Sequence, residues 1–246
     1  ATRNTISKHI HGIMDSPLMM SLSAARGKNI PTLFVPSMHQ DLFDDPVTLE
    51  LLELLDYENS FIMHEPLTEG KIKQSNPIQI VAKLSNIINS KLLNRKKIVI
   101  TLGANRSPID SVRAIQNASS GKTGWIISEY LYRNGHEVVC IVGKTTEKSN
   151  FKLPDIRHAG RPDEMLQESI IVASEDTKPD AWIHAAAILD YYTEPEVGKR
   201  PSEQGVWNIS LTQGPKHIAE LTPSTVDSIR IGCKLETAVS EDVLIK

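Results

Sequence analysis

Ser119, Ser120, Gly121 and Lys122 fall in the stretch Ile115 to Gly124, between an apolar run from Lys97 to Gly103 and a longer run from Trp125 to Asn134. If the first run is a strand and the second a helix, the loop between them turns several backbone N–H groups toward one point. The positive end of the helix dipole lies at the same place, so the loop is a ready phosphate site. The GKT triplet at Gly121 to Thr123 invites a P-loop reading. That motif needs glycine five residues ahead of the glycine before lysine, and Gln116 stands there. No G-x-G-x-x-G follows a strand-like run, so a dinucleotide fingerprint is lacking as well. From spacing alone, a plain Ser/Gly cap on a helix is the competing reading.

The elements around this loop alternate. Strands are expected at Pro31 to Pro36, Ser60 to His64, Lys97 to Gly103, Glu137 to Val142, Ala181 to Ala186, Val206 to Leu211 and Ser228 to Gly232. Helices are expected at Thr5 to Gly12, Pro46 to Leu55, Pro77 to Leu92, Gly121 to Asn134, Pro162 to Val172, Pro215 to Leu221 and Ser240 to Lys246. Pro46 behind Asp45 and Pro77 behind Asn76 put proline at a first helical position after a capping side chain. Gly135 after Asn134 supplies a left-handed stop. Ile78, Val81, Leu84 and Ile88 recur at helical spacing and predict one apolar stripe. Alternating strands and helices predict an α/β fold, a parallel sheet with helices on both faces. The basic break Asn94-Arg95-Lys96-Lys97 is the expected boundary, giving segments 1–93 and 94–246.

Bulk composition bounds the function. Of 246 residues, 40% are hydrophobic and 23% charged, enough for a core and unlike a disordered chain. A net charge of −3 offers no basic excess for nucleic acid, and no apolar run approaches a membrane span. Cys140 and Cys233 are too few for a disulfide framework and sit in apolar, strand-like contexts. Buried, reduced thiols in a cytoplasmic protein are expected.

The block Thr101 to Gly124, TLGANRSPIDSVRAIQNASSGKTG, resembles the signature of the phosphopantothenoylcysteine synthetase family. Gly103, Arg106, Pro108, Asp110, Val112, Arg113, Ile115, Asn117, Ser119, Ser120, Gly121, Lys122 and Gly124 keep its register. Three later segments follow in the family's order. They are AAILDYY at Ala186 to Tyr192, Lys199 behind a Pro/Glu/Gly-rich loop, and GCKLET at Gly232 to Thr237. Upstream, Asn4 to Pro17, Val35 to Phe43 and Glu69 to Lys71 are similar to the tail of the flavin-dependent decarboxylase often fused ahead of this synthetase.

The resemblance implies a Rossmann-like, doubly wound synthetase domain preceded by the C-terminal part of a flavodoxin-like decarboxylase domain. It also implies joining of 4′-phosphopantothenate to cysteine with CTP and Mg2+ through an acyl-cytidylate, then FMN-dependent decarboxylation of the product. Asn117 would handle the acyl-cytidylate, with a turn asparagine as the competing reading. Ser119, Ser120, Gly121 and Lys122 would cradle phosphate beside Gly103. Lys199 would be a mobile cation meeting the triphosphate, or else a surface lysine. Ala186, Ala187 and Asp190 would floor the nucleotide pocket, with a buried or capping carboxylate as the competing reading of Asp190. Cys233 stands where the family has phenylalanine beside the base, which puts nucleotide preference in question. Asn4 and Met38 match decarboxylase positions near flavin and substrate, whereas the family's base histidine would lie ahead of Ala1. The family works as homo-oligomers on small-molecule substrates. Two other classes stay open: a non-catalytic flavoprotein subunit or regulator on the same scaffold, and an NAD(P)-binding reductase with a degenerate fingerprint.

Overall fold

A computed structural model describes residues 1–55, 59–66, 70–92, 94–203 and 205–234. Glu69, Glu236, Thr237 and the expected helix Ser240 to Lys246 lie outside the described residues. The chain divides into two compact units, Ala1–Lys91 and Leu92–Lys246.

In the first unit, helices α1 (Arg3–Ile10), α2 (Pro17–Gly27), α3 (Gln40–Phe43), α4 (Pro46–Leu55) and α5 (Pro77–Asn89) accompany short strands β1 (Thr32–Phe34), β2 (Met38–His39), β3 (Ser60–Ile62) and β4 (Lys71–Ile72). β1 pairs with β3 in parallel and β2 with β4 antiparallel. Ile6, Phe34, Leu51 and Leu55 form the core. Asp45 Oδ1 accepts from the Val47 amide at 2.9 Å and Asn76 Oδ1 from the Ile78 amide at 2.9 Å. These caps fix the starts of α4 and α5. α2 and α3 went unread in the sequence. The expected stripe of α5 is corrected, for Ala82 and Ile87 face inward while Ile78, Val81 and Ile88 are exposed.

The second unit holds β5 (Lys97–Leu102), β6 (Arg106–Pro108), β7 (Ala114–Gln116), α6 (Lys122–Arg133), β8 (Glu137–Val142), β9 (Asp155–His158), α7 (Pro162–Ala173), β10 (Ala181–His184), β11 (Tyr191–Tyr192), β12 (Thr212–Gln213), α8 (His217–Glu220) and β13 (Ile229–Gly232). Five strands form one parallel sheet in the order β13-β10-β5-β8-β9. The order reverses at β5, which opens a crevice at the carboxyl ends of β5 and β10. β5 and β8 are six-residue runs rich in β-branched side chains, buried almost throughout. Val99, Val139, Ile141, Met165, Val172 and Trp182 fill the space under α7.

Two further expectations are corrected here. The residues 206–211 form no strand; the short antiparallel pair is Tyr191–Tyr192 with Thr212–Gln213. Cys233 is exposed just past the edge strand β13, whereas Cys140 is fully buried. Burial pushes the Cys140 thiol up to about 11, against the pull of its hydrogen bond to Ser128 Oγ at 3.3 Å. Residues of the basic break take part in the folded second unit. Lys96 Nζ donates to Asp180 Oδ1 at 2.9 Å, and the buried Lys97 Nζ donates to Glu175 Oε2 at 2.7 Å. None of the described helices is long and apolar enough to cross a membrane.

Candidate functional site

Backbone hydrogen bonds tie together the turns at the carboxyl ends of β5 and β10. Beyond β5, Gly103 O accepts from the Ala187 amide at 2.8 Å, and the Asn105 amide donates to Ala187 O at 3.3 Å. Ala104 bridges both Lys144 and Ala187. The turn after β5 is thereby stitched to the turn after β10, and Ala186 and Ala187 line the join half-buried.

α6 starts on this join. Gly121 precedes it with φ +78, a left-handed conformation that favours glycine, and an added Cβ would collide with Thr145. Gly121 at the N-cap has no side chain to bond the first-turn amides. The Lys122 amide donates to Ser120 Oγ at 3.3 Å, and the Thr123 and Gly124 amides belong to the first turn, which has no intrahelical acceptors. The arrangement therefore offers N–H donors and a positive dipole end to an anion. Lys122 is exposed beside it.

Asn117 is half-buried and works as a staple. Its Nδ2 donates to Ala187 O at 3.3 Å and to Ile188 O at 3.0 Å, which joins the loop before α6 to the loop after β10. Oδ1 is the atom left for an incoming donor. The structure thus brings Gly103, Asn117, Ser119, Ser120, Gly121, Ala186 and Ala187 to one crevice.

The loop carrying Lys199 is pinned on both sides of that residue. The Ser111 amide donates to Gly198 O at 3.1 Å, and the Arg200 amide donates to Asp110 Oδ2 at 3.2 Å. The Asp110 side chain is fully buried and also accepts from the amides of Val112 at 2.8 Å and Arg113 at 2.6 Å, and from the Arg113 guanidinium. Burial alone would raise its carboxyl; the three amides and the guanidinium outweigh that and hold it at about 2. Arg113 and Arg200 stack on the Trp207 ring at 5.2 Å and 5.0 Å. Trp207 Nε1 in turn donates to Glu196 Oε1 at 3.1 Å. This clamp went unread in the sequence, and it explains why 206–211 leaves the sheet. Its one available signal was the Asp110-Ser-Val-Arg spacing, in which an aspartate bonds amides two and three residues on. Arg113 and Asn117 flank β7 four residues apart, so the clamp is anchored within about 13 Å of the staple.

Lys199 and Asp190 are exposed, and Asp190 O accepts from the Gly214 amide at 2.9 Å. The Cys233 amide donates to His184 O at 3.0 Å at the far end of the sheet order. In the first unit, Asn4 is exposed on α1 while Met38 is buried on β2. Ala1 O accepts from the Ser37 amide at 3.2 Å, so the chain start and the β2 turn are neighbours. No three His, Cys, Asp or Glu side chains among the described residues gather at metal-binding spacing.

A family model described as DNA/pantothenate metabolism flavoprotein C-terminal domain matches residues 93–244, and one described as Flavoprotein matches residues 1–101. The chain is 31% identical over 255 residues to the coenzyme A biosynthesis bifunctional protein CoaBC of Thermococcus kodakarensis, covering 100% of this chain and 60% of that protein. The protein of the same name from Methanocaldococcus jannaschii is 31% identical over 250 residues, covering 100% of this chain and 59% of its own length. The chain thus spans about 60% of the length of these curated relatives. A solved structure, the DNA/pantothenate metabolism flavoprotein from Streptococcus pneumoniae, is similar with TM-score 0.55 and 28% identity over 61% of this chain and 74% of that one. With its α/β sheet, its crevice at the strand-order reversal and these matches, the chain belongs to the DNA/pantothenate metabolism flavoprotein family.

Proposed function

We propose that residues 94–246 are a phosphopantothenate–cysteine ligase that uses CTP, and that residues 1–93 belong to an FMN-dependent phosphopantothenoylcysteine decarboxylase. The observation that carries the ligase reading is the glycine-led start of α6, with first-turn amides that have no intrahelical acceptor, beside the stapled turns after β5 and β10. The carboxylate of phosphopantothenate attacks the α-phosphorus of CTP and expels pyrophosphate. The amine of cysteine then attacks the acyl carbon, and CMP leaves with one of the former carboxylate oxygens. The protein's task is to hold anionic phosphate and two reactants in line.

In this reading the amides of Thr123 and Gly124, with Ser119, Ser120 and Lys122, receive phosphate oxygens. Lys199 supplies a second cation from its clamped loop. Ala186, Ala187 and Asp190 floor the nucleotide site, with Gly103 giving close backbone approach and Cys233 at its edge. Asn117 Oδ1 accepts from the attacking amine, since its nitrogen is held by Ala187 and Ile188. Mg2+ arrives on the triphosphate, the usual way this ion meets nucleotides.

The decarboxylase reading rests on Asn4 and Met38. Gly12, Gly27 and Gly70 stand in open space with no atom within 4 Å of an added Cβ, so the described glycines of this unit make no close phosphate cradle. A homo-oligomeric, cytoplasmic enzyme is part of the proposal. Its test is pyrophosphate release from the folded chain given phosphopantothenate, cysteine and CTP. Release that needs all three supports the ligase reading, and none from a folded preparation overturns it.

A further inference from the structure

Glu196 and Arg200 stand on either side of Lys199 in the sequence, and both touch Trp207. The indole Nε1 donates to Glu196 Oε1 at 3.1 Å, and the Arg200 guanidinium lies 5.0 Å from the ring centroid. Arg200 Nη1 is 3.6 Å from the same Glu196 oxygen, so three side chains close a triangle on the segment that carries Lys199. Within that segment Gly198 has φ +79, a left-handed conformation that favours glycine. Lys199 itself is exposed.

The triangle is fixed to the β6–β7 hairpin. The Thr193 amide donates to Ser107 Oγ at 3.2 Å and the Glu196 amide to Ile109 O at 2.8 Å. From just ahead of β7, Arg113 Nη1 and Nη2 donate to Arg200 O at 3.3 Å and 3.4 Å, and its guanidinium lies 5.2 Å from the Trp207 centroid. Two guanidinium groups therefore share one indole ring. Each also has a carboxylate, Asp110 for Arg113 and Glu196 for Arg200. An ion pair as exposed as Glu196–Arg200 contributes little alone. Trp207 and Arg200 are half-buried, where a cation over an indole face is worth more. The ring thus ties Arg113, Arg200 and Glu196 into one body.

We propose, as a step that rests on the ligase reading, that Trp207 is a positioning residue for Lys199. By holding Glu196, Arg200 and Arg113 it fixes the loop, so the Lys199 ammonium meets the triphosphate without first having to be ordered. Pyrophosphate departs from the α-phosphorus with the electron pair of the broken P–O bond, and the ammonium offsets the charge that gathers on it. In this role Trp207 touches no reacting atom; its effect passes through the lysine.

The test compares pyrophosphate release from CTP by the full chain, by Trp207→Leu, Trp207→Phe and Lys199→Ala, and by the double variant of Trp207→Leu with Lys199→Ala. Trp207 lies outside the buried core, so each variant keeps the fold. Trp207→Leu should lower kcat at least about tenfold and leave KM for CTP within about threefold. Trp207→Phe keeps a ring for the guanidinium groups and should recover most of that loss. In the Lys199→Ala background, Trp207→Leu should change kcat by less than about twofold, whereas a general weakening of the fold would act equally in both backgrounds. Trypsin gives a reading without substrates: cleavage after Lys199 should be at least about fivefold faster in Trp207→Leu than in the native chain. The role of Trp207 is overturned, with the ligase reading left standing, by an active native chain and any of four results. These are no loss in Trp207→Leu, the same loss with and without Lys199, no recovery in Trp207→Phe, or unchanged cleavage. A folded native chain that releases no pyrophosphate overturns the ligase reading and this role together.

Discussion

Asn117 shows how a single amide divides its labour. Its nitrogen ties two loops through Ala187 O and Ile188 O, so only its oxygen is left for chemistry. Asn117→Asp replaces a donor by an anion facing two carbonyls. Stranding such groups costs about 1–3 kcal/mol, or roughly tenfold to a hundredfold. The expected outcome is a drop of that size in cysteine-dependent CMP release, with pyrophosphate formation reduced less; equal losses in both steps would remove the proposed role. Asp110 gives a pH prediction. Its folded carboxyl lies at about 2, below the ordinary value of 3.8, so its contribution is complete above about pH 4 and is lost as pH falls through about 2. Trp207 fluorescence, taken as the difference between the native chain and Trp207→Phe, should change across that window. In Asp110→Asn the change should already be present at pH 7.

At the scale of elements, α6 is aimed by close contact with β5. An added Cβ at Gly124 would collide with Leu102 Cβ, so the helix sits where only glycine permits. Gly124→Ala should cost about 1–3 kcal/mol by overpacking, read as a lower denaturant midpoint, and should weaken CTP binding because the first-turn amides shift with the helix. An unchanged midpoint would show that the close packing carries no energetic weight. These elements were legible in the sequence for physical reasons. β5 and β8 are unbroken β-branched runs, and α4, α5 and α6 carry proline, aspartate, asparagine or glycine at their ends. α2 was not legible, since its Met, Ser and Ala residues bury only Met19 and leave no stripe. β9 is a polar edge strand, Asp155 to His158, without an apolar alternation to reveal it. Val206 to Leu211 has strand-like composition, but Trp207 is held by the guanidinium of Arg113, about ninety positions away in sequence, together with Arg200 and Glu196 of the preceding loop. Pairings of that kind have no local signal. The loop before α6 was readable because its residues are adjacent, and the clamp around Lys199 was not because it joins residues about ninety positions apart.

For the whole molecule, the five-stranded order with its reversal at β5 suits either a nucleotide triphosphate or a dinucleotide, and the ligand decides between them. CTP at a hundredfold excess over its dissociation constant should stabilise the chain by about 2.7 kcal/mol, whereas NADPH should leave the melting temperature unchanged. The reverse pattern would favour the reductase reading. The central claim is that the α6 loop holds an acyl-cytidylate while an amine attacks it. Phosphopantothenate labelled with oxygen-18 in its carboxylate tests that most directly, by mass spectrometry of the products after turnover with CTP and cysteine. The account predicts one labelled oxygen in CMP and none in pyrophosphate; CMP free of label after turnover would contradict it.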